Sequence, residues 1–497
     1  MEKKEINSFS KKSTFAKDVL KMASAPFCTQ ILAIILMPIV TRLYNPDVYG
    51  IFHLFSSVVA PIAAFAGFSY SSAVVLPKKD DLASNLLFIS IASTVFIALL
   101  TIPFIWFGSN LILRWLKAPE LIIYLWLIPI DIFAHGMYLS LRFWNVRCKC
   151  FGRIAVSRIS NALVNKGIII IAGFSGFAIS GSLIVGSIAG SLAMSFVLGE
   201  KIWKKNKLLF KDSIRWSNII KVLKRYRKFP IYNLPMGLFS RLSPVITIFL
   251  FSFYFSKSVI GYYGLSLVVL SVPVTFIGSS IGEVFYERVA RARHENRDAL
   301  LVEKLFKQMV WISMLPFLIL AVSGDSIFSF VFGINWQEAG VYAQILSFKM
   351  FISFIIGPVL SLVNVLEKQE IKLFLYIATT IVTFISITIG GLLNNVYIAL
   401  GFFSLLNGLV TLGFGSLMIH FTGVQLSKIF AILLKCFVFC LPVVTIVVLA
   451  KLYFKVSPMF LIVISILSCV IYYSKLFRKD EFLRSTIIGV FKRTKLA

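Results

Sequence analysis

Apolar runs of about twenty residues recur along the whole chain, each long enough to cross a ~30 Å hydrocarbon layer as a helix rising 1.5 Å per residue. Fourteen spans are predicted, near 22–41, 50–75, 85–107, 119–141, 154–174, 178–199, 230–255, 259–282, 305–323, 339–363, 371–390, 395–420, 429–450 and 456–475. The runs are continuous rather than alternating, which excludes a membrane β-barrel. The pattern predicts an all-α polytopic membrane protein. Its longest hydrophilic stretch, Glu200–Lys228, separates six spans from eight.

A weak internal repeat crosses that stretch. Val48-Tyr49-Gly50-Ile51-Phe52, between the first two spans, is echoed by Val259-Ile260-Gly261-Tyr262-Tyr263 between the seventh and eighth. A proline follows in each second helix, Pro61 and Pro273. Both copies enter the membrane in the same direction, so parallel repeats are expected. The organisation predicted is an N-terminal six-helix lobe over 1–200, a basic cytoplasmic linker over 201–229, a C-terminal six-helix lobe over 230–420, and two additional helices with a basic cytoplasmic tail over 421–497. Prolines inside spans, among them Pro61, Pro103, Pro244, Pro273, Pro316 and Pro442, each remove a helical hydrogen bond. They are read either as packing bends or as hinges.

Charge adds orientation. The chain is 58% hydrophobic with a net charge of +29, a balance that on a soluble protein would point to nucleic acid. Here 40 Lys and Arg fall in alternate loops and the helix ends flanking them, against six (Arg42, Arg114, Lys117, Lys257, Lys451 and Lys455) on the opposite side. That is the positive-inside pattern, so both termini are expected in the cytoplasm and no nucleic-acid partner is expected. Lys3, Lys4, Lys11, Lys12, Lys17 and Lys21 precede the first span, and no short apolar region with a small-residue cleavage site precedes them, so no cleaved signal is expected.

Catalytic chemistry finds little footing. There is no G-x-x-x-x-G-K-[ST] loop. His53, His135, His294 and His420 are dispersed, and the Cys148-x-Cys150 pair lacks a second pair for zinc. Neither a metal nor another cofactor is expected. The outer loops are too short for the catalytic domain of a sugar polymerase or ligase, so a carrier is expected rather than an enzyme.

Four basic residues remain inside spans. Lys166, Arg241 and Lys349 each lie about 15–18 Å from a membrane edge, near mid-depth. A charge there is costly and is retained in a bundle interior or wet cavity. A cleft lined from both halves by these cations would suit an anionic cargo. Lys435, nearer the cytoplasmic end of its span, is read either as a fourth member or as snorkelling to the interface. Asp131 lies at the same depth, either as an ion-pair partner of Lys166 or, with His135 one turn away, as a coupling pair. Asn165, Asn233 and Gln344 suit a sugar-compatible lining, joined by Asn161 and Asn364. Tyr232, Tyr262, Tyr263 and Phe348 either stack on sugars or pack.

Motifs then point to a family. Thr41-Arg42-Leu43-Tyr44-Asn45-Pro46-Asp47-Val48-Tyr49-Gly50, Val75-Leu76-Pro77-Lys78, Phe229-Pro230-Ile231-Tyr232-Asn233, Gly261-Tyr262-Tyr263, Phe332 to Gly340 and Asn364-Val365-Leu366-Glu367-Lys368-Gln369 occur in an order and spacing that resembles bacterial polysaccharide-unit flippases (Wzx-type, of the multidrug/oligosaccharidyl-lipid/polysaccharide exporter superfamily). The resemblance covers nearly the whole chain. It implies two six-helix lobes plus two helices in the bacterial inner membrane. It also implies alternating access that moves an undecaprenyl-pyrophosphate-linked oligosaccharide between leaflets for O-antigen or capsule-like polysaccharide. A polysaccharide polymerase and a chain-length regulator are the implied partners. Where relatives carry Arg-Tyr-Glu before V-L-P-K, this chain has Ser69, Tyr70 and Ser71, which shifts weight onto Lys166, Arg241 and Lys349, with Arg42 as a further cation. The alternative is a cation-coupled multidrug or small-molecule exporter of the same superfamily.

Overall fold

The computed structural model describes residues 29–293, 298–365 and 368–479. The N-terminal lysines, the start of the first predicted span with Pro26, His294, Leu366, Glu367 and the C-terminal basic tail lie outside the described residues. Among the described residues there is no strand. Among the described residues twelve helices are long and apolar enough to cross a membrane, and each of the twelve later predicted spans falls on one of them. The first two predicted spans fall on a bent pair, α1 (Thr29–Leu43) and α2 (Pro46–Ala63), which turns by 120° at a two-residue break and amounts to one broken span or a re-entrant loop, so the described residues hold twelve or thirteen spans rather than fourteen.

The physical cause of that turn is local. A residue before proline is pushed out of the helical region, and Asn45 is extended at φ −77°, ψ 158°. Pro46 then occupies the first turn of α2, where its missing N–H costs nothing. Tyr44 is buried at the corner and donates its hydroxyl to the Ile169 carbonyl at 2.8 Å.

The remaining described helices of ten residues or more are α3 (Asp80–Leu116), α4 (Ile128–Arg147), α5 (Phe151–Phe174), α6 (Ser180–Ser213), α7 (Trp216–Arg225), α8 (Leu234–Tyr254), α9 (Lys257–Arg293), α10 (Asp298–Phe332), α11 (Gln337–Ile356), α12 (Gln369–Leu392), α13 (Val396–His420), α14 (Leu426–Leu452) and α15 (Pro458–Lys479). Phe107 is 84% exposed, Phe196 72% and Leu434 65%. Large apolar side chains left bare in this way mark the surface that lipid covers.

Contacts divide the chain into two compact units, Met1–Ile260 and Gly261–Ala497. In the first, α5 packs on α6, α3 on α4, and α8 on α2. Gly50 of α2 lies so close to the Lys257 carbonyl that a Cβ would overlap it. Ser258 donates to Asp47 at 2.7 Å, and Lys257 pairs with Glu120 at 2.5 Å. The hydrogen bond from the Lys257 ammonium holds the Glu120 carboxyl below the usual carboxylate range.

In the second unit, α10 packs on α11, α11 on α13, and α12 on α13. The α12–α13 corner is capped by Asn395, whose side chain accepts from the Tyr397 and Ile398 amides at 3.0 and 3.1 Å. The two last helices are pinned to α10. Lys451 of α14 reaches Asp325 at 2.6 Å and the Val322 carbonyl at 2.8 Å, while Gln344 of α11 donates to both groups at 2.9 Å. Side-chain exposures near a fifth make this a partly desolvated pair. Lys451→Met should therefore cost about 2 kcal/mol, because it leaves Asp325 short of a cation. Adding Asp325→Asn should restore part of the loss, as measured by thermal midpoints of the purified single and double variants.

Candidate functional site

The second predicted span is not one helix. After Ala63 the chain tightens, Ala64 donating to Pro61 and Phe65 to Ile62. Then Gly67, Phe68 and Ser69 all take positive φ (71°, 44° and 57°) before the short turn Tyr70–Ala73. Gly67 lies against α3, where a Cβ would sit 2.6 Å from Ser90 Oγ. Ser90 is ten residues beyond Asp80, so the break lies roughly 15 Å above the end of α3, near mid-depth. Irregular backbone at that depth persists only where protein or a wet cavity satisfies it. Hydroxyls surround it: Ser90 and Ser140 share a hydrogen bond at 2.7 Å, and Thr94 donates to the Ser90 carbonyl at 2.8 Å. Ser69 belongs to the break, and Tyr70 and Ser71 follow directly on it.

Arg241 meets the broken end. Because the Ala64 amide turns to Pro61 and Ile62, the Ala60 carbonyl loses its helical donor. The Arg241 guanidinium of α8 donates to it at 3.2 Å. A cation at a helix C-terminus also complements the helix dipole. His135 of α4 lies within electrostatic reach of Arg241, and Asp131 is one turn away on the same helix. Arg241, which is exposed, and half-buried His135 thus lie together at the end of α2 in the first unit.

Lys166 and Asp131 do not pair; among the described residues neither side chain has a hydrogen-bond or ion-pair partner. Both are half-buried. Asn165 sits where α5 meets α6: a Cβ at Gly190 would lie 3.0 Å from its Cβ, and its Oδ1 is buried without a partner. Tyr232 (67% exposed) and Asn233 lie in a π-helical turn, Phe229–Asn233, that leads into α8. Such turns often accompany functional sites. Arg42 is exposed at the end of α1.

The second unit holds Lys349 on α11. Its ammonium lies 3.9 Å from the Phe403 ring centroid, a cation–π contact, and its backbone amide donates to Ser404 Oγ at 3.3 Å. Tyr263 is buried with its ring edge-on to Phe403, and Tyr262 is edge-on to Trp336 and Tyr342. In this structure both tyrosines pack. Gln344 belongs to the Asp325–Lys451 network. Lys435 is exposed on α14 among exposed Leu434, Phe437 and Val438.

One feature of the first unit was not anticipated. Arg147, the last residue of α4, clamps the Val75-Leu76-Pro77-Lys78 motif: it donates to the carbonyls of Pro77 at 2.5 Å, Val74 at 3.4 Å and Lys78 at 3.4 Å, and pairs with Asp80 at 2.7 Å. A pocket of about 500 Å³ opens beside it, lined by Val75, Asp80, Val146, Arg147, Cys148, Lys149 and Phe151. In sequence Arg147 is one basic residue among many on that face, and nothing marks it out.

The polysaccharide biosynthesis protein family model matches residues 39–341, more than half of the chain. The chain belongs to the polysaccharide biosynthesis protein family. The family resemblance read from the sequence motifs is thus borne out. No curated protein sequence matches this family member. Among solved structures it is similar to the lipid II flippase MurJ, with TM-score 0.70 and 16% identity over 92% of this chain and 98% of that one. It is also similar to a multidrug resistance MATE family transporter of the MOP superfamily, with TM-score 0.53 and 15% identity over 79% and 95%. The Vibrio cholerae MATE transporter VcmN gives 0.51 and 14% over 83% and 98%. At these identities the likeness shows a shared fold. This polysaccharide biosynthesis protein is a multi-pass membrane protein with the fold of flippases and MOP-superfamily transporters. Among its described residues no group of three His, Cys, Asp or Glu is placed to hold a metal ion.

Proposed function

We propose that the protein is a flippase for undecaprenyl-pyrophosphate-linked oligosaccharide repeat units in the bacterial inner membrane, working by alternating access to supply O-antigen or capsule-like polysaccharide. The observation that carries this reading is Lys166, an intramembrane ammonium with no carboxylate partner although Asp131 lies at the same predicted depth. Arg241 and Lys349 support it, since neither has an ion pair among the described residues. Uncompensated cations in a membrane favour an anionic cargo, and a pyrophosphate with its tail left in lipid is such a cargo. The family match supports the glycan, and the MurJ-like fold supports a lipid-linked form. A polymerase and a chain-length regulator would act on the translocated unit.

Lys166→Ala and Lys349→Met should each lower surface glycan display about tenfold or more. A charge-assisted hydrogen bond to phosphate contributes about 1.5–3 kcal/mol, and each 1.4 kcal/mol is a factor of ten. The readout is glycan display in a deletion strain at matched expression. Deleting the gene should also accumulate lipid-linked repeat units on the cytoplasmic leaflet; their normal delivery without the gene would overturn the reading.

The MATE-like fold supports a second reading, an exporter of small molecules coupled to cations through Asp131 and His135. Glycan display that survives deletion, with a gain in drug sensitivity, would favour it.

A further inference from the structure

We propose that α7 and its flanks form a docking surface for the anionic headgroups of the cytoplasmic leaflet. Helix α7 holds apolar and basic residues on separate arcs. Ile219 and Val222, with Tyr226 just beyond, face inward and join the buried cluster of Leu86, Leu87 and Trp144. The apolar arc continues past what the protein covers: Trp216 is 74% exposed and Ile220 39%. The opposite flank presents Lys221, Lys224 and Arg225, and Arg215, Arg227 and Lys228 extend it at either end, all exposed. No acidic residue occurs from Ser213 to Lys228. None of these six cations has an ion-pair partner among the described residues.

The helix is held at the level of the membrane surface. Asn85 donates to the Ser213 carbonyl at 2.9 Å and Ser213 donates to Asp81 at 3.0 Å, tying the end of α6, three residues before α7, to the first turns of α3. Leu86, on which α7 packs, is only six residues past Asp80, roughly 9 Å along the axis. This is also the face that charge asymmetry assigns to the cytoplasm. A helix with a bare tryptophan on one flank and unpaired cations on the other is built for the headgroup boundary: the ring enters the acyl margin and the cations meet phosphates. Anionic lipid is the occupant that satisfies both flanks at once, whereas a soluble anion would leave Trp216 and Ile220 bare.

The full-length protein in nanodiscs of phosphatidylcholine, with or without phosphatidylglycerol, tests this. Phosphatidylglycerol should slow hydrogen exchange across Trp216–Arg225 several-fold at low salt, and high salt should abolish the slowing. Brominated phosphatidylglycerol should quench a fluorescence component that Trp216→Phe lacks. The combined variant Lys221→Gln, Lys224→Gln, Arg225→Gln should lose the lipid response with exchange in α3–α6 unchanged; should that variant fail to fold, the salt and lipid dependence of the wild type decides. Equal exchange in both lipids would overturn the proposal. So would equal protection by inorganic pyrophosphate in phosphatidylcholine discs, because that would make the surface a small-anion site.

Discussion

Gly340→Leu should lower the yield of folded protein in the membrane severalfold. In the second unit α10 and α11 pack backbone to backbone: a Cβ on Gly340 would lie 2.3 Å from the Gly324 carbonyl oxygen and 2.6 Å from Asp325 Cα. Ordinary contact begins near 3.4 Å, so the helices would have to part by about 1 Å even for a single carbon. Membrane helices associate through such close packing of small residues, without a strong hydrophobic drive to replace it. Parting them would also stretch the Gln344–Asp325 bond and disturb the Lys451 pair. Overpacking alone costs about 1–3 kcal/mol, and the lost polar network adds to it, against a total stability of about 5–15 kcal/mol. Gly340→Ala should fall between. Detergent-extracted monomer by size-exclusion fluorescence checks both, and a normal yield of Gly340→Leu would show that the two helices are free to part.

Arg241→Ala should abolish most glycan display while leaving the protein extractable at near-normal yield. Two losses coincide. The Ala60 carbonyl, left without a helical donor by the α2 break, loses the guanidinium that satisfies it, at about 1.5–3 kcal/mol for a charged hydrogen bond. His135 also loses its neighbouring cation. The expected fall is tenfold to a hundredfold by that range. Arg241→Lys should keep part of the activity, since lysine retains the charge but not the planar fork that reaches a carbonyl. Display in a deletion strain at matched expression is the measure; normal display by the alanine variant would remove Arg241 from the proposed mechanism.

Much of the architecture was legible because lipid imposes it. A helix that crosses hydrocarbon must satisfy every backbone group internally and present apolar side chains over its length, so the apolar runs map directly onto helices. The corner at Asn45–Pro46 was legible for a local reason, the steric bias of a residue before proline. The break at Gly67–Ser69 was not. Phe68 and Ser69 have no preference for positive φ, and the close approach of Gly67 to Ser90 on α3 is a tertiary contact.

The candidate site divides along the same line. Sequence alone determined that Lys166, Arg241 and Lys349 lie inside spans, because an isolated charge stands out in an apolar run. It left open whether Asp131 neutralises Lys166, since predicted depth says nothing of azimuth around a helix; the fold keeps them unpaired. It gave no sign that Arg241 would cap α2 at Ala60, 181 residues away, or that Lys451 would reach Asp325, 126 residues away. Polar contacts at that separation depend on the angle and register at which helices pack. Membrane crossing is dictated residue by residue, whereas the partner of each buried charge is decided only when helices distant in sequence come to lie side by side.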